Sequence, residues 1–120
     1  MKLLIAVKSG ILSKLLASSL AMYTVHTCDT GADALAMLEM HRPDALILDL
    51  TLPGIDGLTV LQKSGYKPRS ILALTNLATP DVLAEAAAAG IQDILLIPCT
   101  IRHITEHLDA LTGNPPSAEG

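Results

Sequence analysis

Short apolar runs alternate with segments of helical periodicity along this chain, and the alternation constrains the fold more than any other feature. Four runs are nearly continuous in apolar residues: LLIAV at 3–7, ALILDL at 45–50, SILALT at 70–75 and DILLI at 93–97. Such runs are typical of parallel strands that are covered on both faces. A weaker run, YTVHTC at 23–28, suits an edge strand.

Capping residues support five helical segments between and after these runs. Thr30 with Asp33 resembles a capping box, Thr79–Pro80 gives a cap followed by an N1 proline, and Gly65, Gly90 and Gly113 fall where helices should end. We therefore predict one α/β domain over residues 1–112, a doubly wound five-stranded parallel sheet with five helices on its two faces. Residues 113–120 are predicted to be a linker or a disordered tail.

Composition argues against several classes of function. The net charge is -4 and Lys and Arg form no cluster, so this domain is not expected to bind nucleic acid. No apolar run is long enough to cross a bilayer and no signal peptide precedes the fold, which predicts a cytoplasmic location without membrane contact. Cys28 and Cys99 fit neither a metal-ligand spacing nor a disulfide framework.

The candidate ligand site lies where the predicted strands end, as in other open α/β sheets. Asp49 ends an apolar run there, and a buried carboxylate needs a partner. The chain has no glycine-rich phosphate loop and no recognisable nucleophile motif, so we do not expect an enzyme. His103 and His107, four residues apart, could share a metal ion, but we interpret them as surface histidines and predict no metal site.

Residues 2–112 resemble the receiver domain of two-component response regulators, through PDALILDLTLPGIDG, ILALTN and AAAAGIQDILLIP. The resemblance implies the flavodoxin-like strand order 2-1-3-4-5. Asp49, Pro53 and Gly57 match the family motif D-x-x-x-P-x-x-x-G, which makes Asp49 the phosphoacceptor position. Thr75 matches the residue that contacts the phosphoryl group, and Pro98 the proline after the family lysine. The order would place the two cysteines roughly 19 Å apart, too far for a disulfide.

The chain departs from the family pattern at four positions. The acid pair that holds Mg²⁺ is replaced by Val7 and Lys8, or by Lys8 and Ser9 in the alternative register. Ile97 stands in the lysine position and Ile94 in the aromatic switch position. We therefore expect no cofactor, with Mg²⁺ binding weakly or not at all.

Lys8 is a candidate partner for the Asp49 carboxylate. A complete receiver site balances three carboxylates against one lysine and one divalent cation, whereas this chain offers one carboxylate and one possible counter-charge. The alternatives are that Lys8 is solvated and that Asp49 makes only local hydrogen bonds.

These observations predict an atypical receiver, or pseudo-receiver, that acts as a regulatory and protein-interaction module and is not phosphorylated by the usual Mg²⁺-dependent mechanism. One alternative is a working receiver phosphorylated on Asp49 by a histidine kinase; another is a small-molecule-responsive binding module. Expected partners are a histidine kinase or other signalling protein and a C-terminal output domain that regulates transcription. A homodimer is also expected, through the fourth helix, fifth strand and fifth helix, a face on which Arg102, Glu106 and Asp109 carry charge.

Overall fold

A five-stranded parallel sheet forms the centre of the molecule, in a computed structural model that describes residues 1–113. Its strands lie in the order β2-β1-β3-β4-β5. They are β1 (Lys2–Ala6), β2 (Thr24–Cys28), β3 (Ala45–Asp49), β4 (Ser70–Thr75) and β5 (Asp93–Leu96). The predicted order is confirmed, and each strand lies within one residue of its apolar run.

Five helices follow the strands in alternation, as the periodicity predicts. They are α1 (Gly10–Ser19), α2 (Gly31–His41), α3 (Gly57–Lys63), α4 (Pro80–Ala88) and α5 (Ile101–Thr112). The flavodoxin-like doubly wound fold is therefore confirmed. None of the helices in residues 1–113 is long and apolar enough to cross a membrane.

The core consists of two apolar layers, one on each side of the sheet. Alternate strand residues point to opposite faces, so Leu4 and Leu46 lie in the layer covered by α2, α3 and α4, whereas Leu3 and Ile47 lie in the layer covered by α1 and α5. Every residue of β3 and β4 is buried. Their continuous apolar runs follow from this double coverage.

Side-chain caps begin the helices where the sequence predicts them. The hydroxyl oxygens of Thr30 and Thr79 accept hydrogen bonds from the third backbone N–H beyond each cap. Gly113 ends α5 with a φ of 82°, whereas α2 ends at Arg42, a non-glycine residue with a φ of 45°. Of the predicted tail, residues 113–120, only Gly113 lies within the described part of the chain, where it caps α5.

Candidate functional site

Asp49 ends β3 and points its carboxylate into the loops beyond the sheet. Only 2% of the residue is exposed. One oxygen, Oδ1, accepts hydrogen bonds from the backbone N–H of Thr51 at 2.8 Å and from its hydroxyl at 2.6 Å. The other, Oδ2, accepts the backbone N–H of Lys8 at 3.2 Å. These three hydrogen bonds therefore replace those that the carboxylate would make with water if it were exposed.

Lys8 contacts Asp49 through its backbone N–H and not through its side-chain ammonium. The residue is exposed, and no ion pair between its ammonium and Asp49 is formed within 4.0 Å in residues 1–113. The hypothesis that the Lys8 side chain balances Asp49 is therefore wrong in this structure. The loop after β1 turns the Lys8 amide towards β3, which leaves the side chain in solvent.

Thr51 is the partner that the sequence analysis missed. A Thr two residues after an Asp can donate hydrogen bonds from both its N–H and its hydroxyl to that carboxylate, as in a local Asx-type turn. The signal was the spacing Asp-x-Thr inside the segment LDLTLP. This turn competes with any incoming ligand for Oδ1.

The positions of the family acid pair provide no carboxylate. Val7 is buried in the layer beneath α1 and α5, and its N–H continues the β1–β2 pairing to Cys28. Ser9 is the N-cap of α1, where its hydroxyl oxygen accepts the N–H of Leu12 at 3.2 Å. No group of three or more His, Cys, Asp or Glu side chains suited to a metal ion occurs in residues 1–113. The donors around Asp49 thus do not fit Mg²⁺, which takes several oxygen ligands.

Thr75 ends β4 beside Asp49, since its neighbour Leu74 is paired with Asp49 across the sheet. Its hydroxyl donates to the carbonyl of Leu77 and accepts the N–H of Leu77, both at 3.1 Å. The hydroxyl is therefore bonded within its own loop. Ile97 follows β5, where its N–H donates to the Thr75 carbonyl at 2.9 Å and its side chain packs on the α1–α5 layer.

Ile94 packs on the opposite layer, against the core beneath α4. It is half-buried and carries no hydrogen-bonding group. A separate feature, a cavity of about 450 Å³, lies between α3 and α4. Its polar lining includes Thr51, Asp56, Thr75 and Glu85.

Both cysteines are free thiols. Cys28 ends β2 at one edge of the sheet, and Cys99 follows β5 at the other. Burial raises the pKa of Cys28 to about 12, with the nearby charges of Asp33 and Asp29 adding to the effect. Burial also raises the pKa of Cys99. Neutral thiols are poor nucleophiles and metal ligands, so these shifts disfavour the reactive thiolate form of both cysteines.

The fold and the strand-end carboxylate define a class: a doubly wound α/β domain whose site lies beyond β1, β3 and β4. The profile of the response regulator receiver domain family matches residues 7–109. The chain belongs to this family, and it is a receiver domain in signal transduction.

Two relatives support the assignment by sequence. The chain is 34% identical over 91 residues to "Response regulator MprA" of Mycobacterium ulcerans, which covers 74% of this chain and 39% of that protein. It is 36% identical over 83 residues to "Transcriptional regulatory protein QseB" of Haemophilus influenzae, which covers 68% of this chain and 38% of that protein. The chain thus spans about two-fifths of the length of these relatives.

Two solved structures share the fold. Chemotaxis protein CheY4 of Vibrio cholerae has a TM-score of 0.81 at 28% identity, covering 92% of this chain and 97% of its own. The receiver domain of sensor histidine kinase PA1611 from Pseudomonas aeruginosa has a TM-score of 0.77 at 24% identity, covering 94% and 98%. That structure has a magnesium ion coordinated in its active site cleft. At this identity the likeness is one of fold.

Proposed function

We propose that this receiver domain is a pseudo-receiver, a regulatory and protein-interaction module that does not accept a phosphoryl group by the Mg²⁺-dependent route. The observation that carries the proposal is the bonding of Asp49. Its two oxygens accept three hydrogen bonds from the domain itself, and the acid pair positions hold Val7 and Lys8. Phosphoryl transfer relies on cations to offset the charge that develops on the transferred group.

The absence of the family lysine also supports a pseudo-receiver. Ile97 packs against the apolar layer and offers no charge to an anion. Ile94 lacks the ring of the aromatic switch, and the Thr75 hydroxyl is bonded to Leu77. We infer that control passes through binding surfaces of the domain, and that its activity does not depend on a phosphorylated Asp49.

The partners in this proposal follow from the relatives. Since the chain spans about two-fifths of MprA and QseB, we place it in a longer response regulator with an output domain, and the name of QseB supports transcription regulation. A histidine kinase or another signalling protein is the proposed upstream partner. The cytoplasmic location expected from the sequence belongs to the same proposal.

A homodimer through α4, β5 and α5 is also proposed. Leu83 on α4 and Leu96 on β5 are 43% and 57% exposed, large values for leucine on a folded domain. Arg102 and Glu106 form an exposed ion pair on α5, with Nε and Oε2 2.9 Å apart. Asp109 was wrongly assigned to the charged part of this face: it is buried and accepts the hydroxyl of Tyr23 at 3.0 Å.

Labelling with a small phosphodonor tests the function. We expect the native domain to gain no phosphoryl group from acetyl phosphate with Mg²⁺, as measured by intact mass. Millimolar Mg²⁺ should leave its melting temperature where NaCl of equal ionic strength leaves it. The matched variant carries Lys8→Asp and Ile97→Lys, which restore a carboxylate at an acid-pair position and an ammonium at the family lysine position, and it should become labelled.

Two results would contradict the pseudo-receiver. One is Mg²⁺-dependent labelling of the native chain that Asp49→Asn abolishes, which would make it a working receiver. The other is a saturable rise in melting temperature with Mg²⁺ that NaCl does not reproduce.

A further inference from the structure

Two histidines on α5 lie beside a carboxylate from β5, far along the chain from Asp49. His103 and His107 are one helical turn apart, and their ring centroids are 4.6 Å apart with the planes tilted by 52°. Nδ1 of His107 lies 2.5 Å from Oδ2 of Asp93. These three side chains are not part of the strand-end site around Asp49.

Asp93 determines which nitrogen of His107 is free. A carboxylate accepts hydrogen bonds, so it holds the proton on Nδ1 and leaves the lone pair of Nε2 unprotonated in the neutral ring. The same arrangement of carboxylate and imidazole orients histidine ligands in metalloproteins. His103 is exposed, and its ring accepts or donates no hydrogen bond within residues 1–113. Both histidines can therefore present a nitrogen to a ligand.

The distance between the rings suits one shared ion. A metal lies about 2.0 Å from an imidazole nitrogen and hence about 3.2 Å from the ring centroid, so ligand angles of about 90–110° place two centroids about 4.5–5.2 Å apart. The observed 4.6 Å lies in this interval. The tilt between the planes also matters, because nitrogen lone pairs lie in the ring planes and must converge.

A second histidine pair in the same domain lacks this geometry. The rings of His26 and His41 are stacked, 3.9 Å apart with the planes only 8° from parallel. Lone pairs in two stacked, parallel planes do not meet at one point. The two pairs therefore form an internal comparison between a tilted and a parallel arrangement of rings.

We propose that His103 and His107 bind one divalent transition-metal ion per chain, of the class of Ni²⁺ and Zn²⁺, with Asp93 as a positioning residue. Imidazole suits these ions, whereas Mg²⁺ prefers oxygen ligands. Since no third His, Cys, Asp or Glu completes a metal cluster in residues 1–113, water occupies the remaining positions. The site is thus open and exchangeable. It is independent of whether Asp49 accepts a phosphoryl group.

Calorimetric titration with NiCl₂ tests the proposal, using the chain freed of any affinity tag and kept dilute. We expect saturable binding of one ion per chain and none with MgCl₂. His103→Ala and His107→Ala should each raise the dissociation constant for Ni²⁺ at least tenfold. His26→Ala is the matched control and should leave it unchanged. Circular dichroism of each variant confirms that the fold is retained.

Asp93→Asn tests the positioning role. We expect Ni²⁺ affinity to fall about tenfold, within the range for partners that orient metal ligands. The ¹⁵N shifts of His107 should move away from the Nδ1–H tautomer, a change that a purely structural role for Asp93 would not produce. Asp93→Glu should restore part of the affinity.

The proposed site would be overturned if the native chain showed no saturable Ni²⁺ binding, or if binding survived the double substitution of His103 and His107. It would also be overturned if His26→Ala alone abolished binding, or if one ion bound per two chains. An unchanged dissociation constant and unchanged ¹⁵N shifts in Asp93→Asn would remove Asp93 from the proposal.

Discussion

At the scale of single residues, Asp49 is stabilised by hydrogen bonds and not by a neighbouring charge. The N–H and hydroxyl of Thr51 and the N–H of Lys8 meet its two oxygens. Hydrogen bonds to an ionised group contribute about 1.5–3 kcal/mol each, more than an exposed ion pair. The backbone N–H at position 8 also remains available with any side chain other than proline.

This bonding predicts the effect of Asp49→Asn on stability. The Asn oxygen can still accept from Thr51, but its NH₂ faces the Lys8 N–H and the charge is lost. Relief of carboxylate desolvation offsets part of the cost, and we expect the free energy of unfolding to fall by about 1 kcal/mol. Urea unfolding near pH 7 without metal measures it.

A double-mutant cycle separates the amide from the ammonium. Lys8→Met keeps the amide, so it should change stability by less than about 0.5 kcal/mol and show no coupling to Asp49→Asn. Thr51→Val removes a donor hydroxyl and should couple to Asp49→Asn by about 1 kcal/mol. Coupling of that size between Lys8→Met and Asp49→Asn would instead indicate that the Lys8 ammonium and the Asp49 carboxylate interact, which would contradict the structure.

At the scale of elements, the start of α3 lies directly against the end of β3. A Cβ built on Gly57 would lie 2.7 Å from the carbonyl oxygen of Asp49 and 2.9 Å from Cα of Leu50, both backbone atoms. The Gly57 N–H also donates to the Leu50 carbonyl at 3.2 Å. Glycine in the family motif thus allows the helix to approach the strand that carries Asp49.

Gly57→Ala should therefore destabilise the domain by about 2 kcal/mol, because neither backbone segment can move without disturbing the cleft. Gly10→Ala is a matched control: Gly10 also begins a helix, but nothing lies within 4 Å of its added Cβ. It should be neutral or stabilising by up to about 1 kcal/mol. Equal effects of the two changes in denaturant unfolding would contradict the close approach.

At the scale of the whole molecule, the proposed dimer face carries exposed apolar side chains on α4 and β5. Ala86 faces the core and is 1% exposed, so Ala86→Glu would disrupt the fold without testing an interface. Ala88 is exposed, as are Leu83 and Leu96. An interface through α4, β5 and α5 must therefore use these outward residues.

Sedimentation velocity tests the proposed homodimer. We expect the native domain to sediment as a dimer and Leu83→Glu to sediment as a monomer, since a buried unpaired carboxylate is costly at an interface. Met40→Glu is the control, because Met40 is exposed on α2, away from this face. A native monomer at every accessible concentration would rule the dimer out.

The sequence by itself determined the strands, the helices and the strand-end position of Asp49. These features follow from local periodicity and from caps such as Thr30 and Thr79, whose hydrogen bonds join residues three apart. The strand order came from the family resemblance, whose motif includes Gly57.

Only the tertiary structure decided the partners of the charged groups. Lys8 meets Asp49 through its amide, 41 residues away, and Asp93 meets His107 between a strand and a helix. The sequence placed Asp109 on an exposed face, but the packing of α5 turned it towards Tyr23. Such contacts depend on how distant elements are oriented, a property that residue type and spacing do not specify.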